Sequence, residues 1–362
     1  MDFTLTPEHQ SFGASLRSAC GRRLTNVRNA DPVEWHWRVH SLMGALDLFG
    51  LTLGNDLDGA SGAIETMIVS EELGRWSANN EFVESVVLCG EFLKRAATED
   101  QRRRWLRPLA EGKLTFSMPL AAKGMSTLSE SAQSRNFGRG YELNAHRLAA
   151  SDMPSSDIFL IPAQDNTSNV VRVFGVSKTQ AGVRRTEFEA LDGERWTYLD
   201  LNGVNVSDAD VIGLQGGVTC ELAHAFDAAR ASLCAESLGA AEALFSLCCK
   251  HLLTRKQFGQ PLADNQILRH RIADMRISLE LMRSMACIAA VAVAEASPGR
   301  RSELVCAAKS FIDGRALAIA EEAIQLHGAI GMSDECFVSP YARRILLSGH
   351  RLRSAALPSS LL

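Results

Sequence analysis

Arg255-Lys-Gln-Phe-Gly-Gln-Pro-Leu-Ala-Asp-Asn-Gln266 separates two long helical stretches, and its reading decides the fold. Before it, Ala225 to Thr254 contains no proline and can form a single helix. After Pro261 a second helix begins near Asn265. Its apolar residues Leu268, Ile272, Met275, Leu279, Met282, Ala286, Ala289 and Val293 step by four and three alternately. That is the narrow stripe of a bundle helix. Ser297-Pro-Gly299 ends it, and a third helix runs from about Ser302 to Leu326. Long helices around one seam predict a four-helix-bundle-like domain over 219–362.

Upstream the periodicity changes. Tyr141-Glu-Leu-Asn, Ile158-Phe-Leu-Ile, Val170-Val-Arg-Val-Phe-Gly-Val and Trp196-Thr-Tyr-Leu-Asp-Leu read as strands, with Gly, Asn, Asp and Ser clusters between them. No helical stretch joins them. An antiparallel barrel or sandwich over 114–218 is therefore expected, not a βαβ array, and no GxGxxG is present there. Residues 1–113 return to a helical pattern. Ser41 to Gly50 is followed by a Gly/Asp-rich turn from Asn55 to Gly62, and a helix follows from Ile64 to Trp76. Thr98 with Gln101 three residues on is a capping signal, and Arg102 to Arg104 read as a solvated helix face. The fold class is α+β and mostly α: N-terminal helical domain, middle β domain, C-terminal bundle.

Composition bounds the function. The 362 residues carry 38 Lys+Arg against 42 Asp+Glu, a formal charge of −4, with 46% hydrophobic and 22% charged residues. A disordered chain, a collagen repeat and a nucleic-acid polycation are all excluded by that balance. The uncharged apolar stretch between Arg283 and Glu295 is shorter than the ~18–20 residues a bilayer needs. Met1-Asp-Phe-Thr has neither the basic nor the apolar region of a leader. Nine cysteines include no CxxC pair and lie in apolar stretches. The expectation is a cytoplasmic, metal-free protein with no membrane or nucleic-acid partner.

Two segments then make the reading specific: Arg255 to Gln266, and Glu322-Ala-Ile-Gln-Leu-His-Gly-Ala-Ile-Gly331. Together they resemble the acyl-CoA dehydrogenase family, flavoenzymes with this helix–β–helix order. Met1 to Gln10, Glu71-Glu-Leu-Gly-Arg75 and Gln101 to Gly112 resemble further family landmarks in the correct order, so the resemblance covers nearly the whole chain. It implies FAD as cofactor. Arg255, Phe258, Gln266, Gln325, Gly328 and Ala329 correspond to positions that hold the adenosine-pyrophosphate half of FAD across a subunit interface, for the neighbouring chain's flavin. The chemistry of the residues agrees. Arg255 offers a planar, permanently charged fork for a diphosphate. Gln266 starts a helix whose free N–H groups favour an anion. Phe258 supplies an aromatic face. Ala329 stands where the family has a second glycine.

The flavin-ring half departs from the family. Its Thr-Glu-Pro-Gly-x-Gly-Ser-Asp loop corresponds here to Ala121-Ala-Lys-Gly-Met-Ser-Thr-Leu128, which keeps Gly124 and leaves Thr127 for the serine. The family's ring-stacking Trp-x-Thr becomes Ala149-Ala-Ser151, so Thr127 and Ser151 are vestiges. Loss of a buried Trp-sized contact costs about 3–5 kcal/mol. The catalytic base is also absent. The reaction removes a proton α to a thioester and needs one poised carboxylate. One family position is Ala229; for the other, the C-terminal loop, Glu335 is the last acid and 336–362 contains none. Glu236 lies seven residues past Ala229, about 10 Å along the helix, and is a weak candidate that reads better as an ion-pair residue. Asp227 and Arg230 match family positions near the acyl-CoA.

Adenosine-side contacts are kept while the ring pocket and base are eroded. That asymmetry suits a non-catalytic subunit in an α2β2 heterotetramer, completing the FAD site of a catalytic acyl-CoA dehydrogenase paralogue. Such an assembly would act on an acyl-CoA and pass electrons to an electron-transfer flavoprotein or similar acceptor. Two alternatives remain: a homomeric FAD dehydrogenase with a displaced base, and a scaffold without FAD.

Overall fold

Helices occupy both ends of the chain and a sheet the middle. A computed structural model describes residues 5–24, 32–51, 62–77, 81–121, 132–138, 140–151, 156–165, 170–214, 216–333 and 335–352. The N-terminal helices are α1 (Pro7–Leu24), α2 (Pro32–Ala45) and α3 (Ala63–Arg75). A π-helical segment, Phe82–Cys89, runs into α4 (Gly90–Ala96). The short α5 (Glu99–Gln101) opens on the expected capping box: Thr98 and Gln101 each bond the other's backbone N–H. Arg102–Leu106 continues as π-helix into α6 (Arg107–Ala110). Its arginines are spent locally: Arg102 on the Lys94 carbonyl, Arg103 on Glu99 and Arg104 on Asp210.

The middle region is one nine-stranded sheet. Its members are β1 (Phe116–Ser117), β2 (Leu120–Ala121), β3 (Gln133–Asn136), β4 (Tyr141–Ser151), β5 (Ile158–Asp165), β6 (Val171–Ser177), β7 (Val183–Glu189), β8 (Arg195–Val206) and β9 (Val211–Ile212). The order is β7-β8-β4-β3-β5-β6-β9, with β1 on β5 and β2 on β4. Most pairs are antiparallel, as expected, but β1–β5 and β3–β5 are parallel, so the sheet is mixed. Alternation along a strand reports which face is buried, not which way the neighbour runs, so the sequence carried no signal for this.

The C-terminal bundle consists of α7 (Thr219–Thr254), α8 (Gln266–Glu295), α9 (Pro298–His327) and α10 (Val338–Ser348), with β10 (Lys256–Gln257) and β11 (Gln260–Pro261) between α7 and α8. The stripe on α8 packs as its spacing requires: Met275, Leu279, Met282, Ala286, Ala289 and Val293 are buried. Pro298 starts α9, so that helix begins four residues before the expected Ser302.

The helical ends of the chain pack on each other where α3 crosses α7. A Cβ on Gly74 would lie 2.0 Å from the Glu236 carbonyl oxygen, and one on Gly239 1.8 Å from that of Glu71. Only glycine permits this approach, which offsets the roughly 1 kcal/mol that glycine costs inside a helix. Around the crossing, Glu71 and Glu242 bind Arg75 and Arg283. By length and composition α7 and α8 are apolar enough to cross a membrane, yet 72% and 44% of their most apolar windows are buried inside the fold.

Candidate functional site

The segment between α7 and α8 is a β-hairpin, which helix-based reading of the sequence did not foresee. Lys256 pairs with Pro261 and Gln257 with Gln260, leaving Phe258 and Gly259 as a two-residue tip. Both tip residues have positive φ, 52° and 81°. That backbone twist suits a tight hairpin and is uncommon for a bulky side chain. The result is Phe258 held 99% exposed. At the base of the hairpin Arg255 is also exposed, and its guanidinium has no hydrogen bond or ion pair among the described residues. Asn265 caps α8 through its side chain, accepting from the Ile267 N–H, and Gln266 is the first residue of the helix.

The second segment converges on the same end of the bundle, because α7 and α9 end where α8 begins. The imidazoles of His251 in α7 and His327 in α9 are in contact, tilted by 32° with centroids 4.3 Å apart. Gln325, Gly328 and Ala329 lie exposed beside that contact. A free guanidinium, a presented aromatic ring, a helix N-terminus and open backbone on one surface fit the adenosine-diphosphate half of FAD. Filling that site would supply hydride-accepting flavin chemistry.

Of the ring side, the described residues show only the strand pairings. Leu120 and Ala121 on β2 pair with Ala149 and Leu148 on β4, so the two eroded stretches are neighbours. Ser151 pairs with Trp196 on β8. Ala122, Gly124 and Thr127 lie outside the described residues.

At the family's base position on α7, Ala229 is fully buried in an apolar cluster with Phe226, Leu233, Val173 and Ile212. Asp227 is fully buried too. One oxygen accepts from Arg230, the other from Arg301 and Ser302, which clamps α7 to α9. Both of its oxygens are thus used internally. Arg230 does line a cavity of about 350 Å³ with Cys306, Lys309 and His350. The Glu236 carboxylate accepts from Nε and Nη2 of Arg344 at 2.8 and 2.6 Å, and Nη1 of the same arginine reaches Glu194. It is an ion-pair residue, the reading the sequence favoured.

The sequence reading did not single out Glu91 on α4. It is 2% exposed, neither oxygen has a hydrogen-bond partner, and burial raises its pKa against the pull of Lys94 and Arg95. It lines a small cavity of about 20 Å³, room for a single water, with Thr66 and Ser232. His224 lies 3.8 Å away. Burial, then Arg95, Arg301 and Lys94, push its pKa down to about 3. With its pKa that low, His224 is neutral and gives Glu91 no counter-charge; Arg95 Nε, 3.5 Å from the same carboxylate oxygen, is the nearest cation. Because the fold holds the Glu91 proton more tightly than the unfolded chain does, stability falls as pH rises from the ordinary carboxylate range through the raised value. Glu91→Gln should flatten that slope and stabilise the protein at neutral pH by on the order of 1 kcal/mol. Melting temperatures measured across pH check this, with parent and variant expected to converge in acid.

The comparisons agree with this geometry. The N-terminal-domain model of acyl-CoA dehydrogenases matches residues 6–113 and the C-terminal-domain model residues 218–348. An L-prolyl-[peptidyl-carrier protein] dehydrogenase of Pseudomonas fluorescens is 26% identical over 349 residues, covering 91% of this chain and 90% of the relative. Among solved structures, the ChsE4-ChsE5 complex of Mycobacterium tuberculosis superposes with a TM-score of 0.85 at 22% identity, covering 98% of this chain and 96% of that one. Butyryl-CoA dehydrogenase of Megasphaera elsdenii gives 0.87 at 21%, covering 98% and 97%. Matched at both helical ends and along its length, the chain belongs to the acyl-CoA dehydrogenase family.

Proposed function

We propose that this chain is the non-catalytic member of a heteromeric acyl-CoA dehydrogenase. It lends the Arg255–Phe258 hairpin and the Gln325–Ala329 turn to the FAD of a catalytic paralogue. One contrast carries the reading: the adenosine-side groups stand free and exposed, while the base position at Ala229 is sealed in a core. The Mycobacterium tuberculosis neighbour was solved as a complex of ChsE4 with ChsE5, which supports a partner subunit for this chain. The paralogue would supply the flavin-ring pocket and the carboxylate that takes the α-proton of an acyl-CoA. An electron-transfer flavoprotein or similar acceptor would then reoxidise the assembly. A homomeric enzyme with a displaced base has less support, because Arg344 holds Glu236. The assembly is expected in the cytoplasm.

The test is Arg255→Ala in this chain, co-expressed with the paralogue. Loss of a charge-assisted contact to a diphosphate should weaken FAD retention ten- to more than a hundred-fold, roughly 1.5–3 kcal/mol. Arg255→Lys should recover only part of it, since a point charge does not reproduce the fork. Arg103→Ala, which removes only an exposed pair with Glu99, is the control and should change almost nothing. Flavin content of the purified complex is the readout. Equal retention in both alanine variants overturns the shared-site reading.

A further inference from the structure

His251 and His327 each occupy the last turn of a long helix, and the two helix ends meet at their rings, tilted with centroids 4.3 Å apart. Two influences oppose each other there. The negative ends of α7 and α9 favour an imidazolium. Arg255, four residues past His251, opposes it, as does a proton on the other ring. The His327 Nδ1 lies 2.8 Å from the Ala323 carbonyl, which can only accept, so that nitrogen carries a proton. The surrounding elements carry both signs, with Asp264 before α8, Glu321 on α9 and Glu335 after it as acids beside the cations. The basic groups are Lys250 on α7, Lys256 on the hairpin, and Arg269 and His270 at the start of α8; the Arg271–Glu322 pair lies between α8 and α9.

We propose that the His251–His327 pair is the proton-linked half of the anion site at Arg255, so that a diphosphate bound there draws a proton onto the pair. This rests on the proposed role of Arg255 in holding a diphosphate. In the free chain the balance lies toward the neutral ring: burial, then His327 and Arg255, lower the pKa of His251. A diphosphate offsets the Arg255 charge and adds negative potential beside the rings, so that, against burial and the neighbouring ring, the balance shifts toward the imidazolium that the two helix ends favour. One imidazole then takes up a proton from solvent. The pair also ties the two adenosine-side segments together, so binding and protonation act on one unit. Neither histidine needs to touch the ligand; both are positioning residues.

Calorimetric titration of the full chain with inorganic pyrophosphate, in buffers of contrasting ionisation enthalpy, measures the proton uptake directly. The expected result is a binding enthalpy that depends on the buffer in the sense of uptake, beyond what the ligand itself contributes. Affinity should fall about three- to tenfold between about pH 6 and about pH 8. His251→Phe keeps an aromatic ring in contact without a titrating nitrogen; it should still bind but lose most of the excess uptake, and His327→Gln should behave alike. Unchanged uptake in both variants overturns the inference, as does absence of pyrophosphate binding to the parent chain. Arg255→Ala separates the two ideas. If it abolishes binding while the histidine variants leave uptake unaltered, the anion site stands and the proton linkage falls. If it leaves binding intact, the anion-site reading itself is what fails.

Discussion

Purified alone, this chain should leave acyl-CoA thioesters unoxidised, with turnover at least 10²–10⁴-fold below that of the co-expressed complex, the usual worth of a general base. Two buried carboxylates among the described residues are accounted for by their surroundings. Glu236 is 3% exposed and engaged by Arg344. Glu91 is buried beside neutral His224, and burial favours its protonated form. Ala229, where the family resemblance places a carboxylate, offers only a methyl group to an apolar core. The assay is dye-linked oxidation of a panel of short, branched and bulky acyl-CoAs, with flavin content measured on the same preparation. Robust turnover that vanishes in Glu236→Gln without loss of folding would show that the base has moved along α7.

Much of this was legible in the sequence, for identifiable reasons. The stripe on α8 was readable because a bundle seam demands one spacing over many turns, and the cap at Thr98 because its partner lies three residues away. The residues proposed for the adenosine side could be named because two long segments carry them in order. What stayed hidden depends on distant chain. Nothing local says that β5 has parallel neighbours on β1 and β3. The hairpin tip at Phe258 requires positive φ at a phenylalanine, against its own preference, so composition argues the wrong way. Asp227 matched a family position by spacing, and only the arrival of Arg301 and Ser302 from α9 reveals that its oxygens are occupied. Glu91 carried no signal, because its solvation is removed by α3 and α7, far away in the chain.

Arg344→Met should be the most destabilising single change in the helical region, costing about 3–5 kcal/mol, because it strands carboxylates that cannot reach water. Arg344 on α10 is 4% exposed and bridges Glu236 on α7 to Glu194, in the turn between β7 and β8, with Asp192 at 3.9 Å. It thus ties the sheet to the bundle. Burial alone would raise the Glu194 pKa, yet Arg344 and Arg351 outweigh it and hold that carboxyl low. Asp192 is the excess acid: burial, with Glu194 beside it, pushes its pKa up to about 6. The two groups give opposite pH slopes. Stability due to Glu194 is present above its unfolded pKa and lost as pH falls through its lowered folded value. Stability due to Asp192 is full below its unfolded pKa and lost as pH rises through about 6. Asp192→Asn should therefore stabilise the protein above that pH. In Arg344→Met the acids keep only the more distant Arg351 as counter-charge, and protonation relieves them further, so the gap to the parent should narrow on acidification. Denaturant melts at two pH values, one on each side of the Asp192 transition, decide it. A gap that stays constant or widens in acid would mean that Arg344 contributes packing and not charge neutralisation.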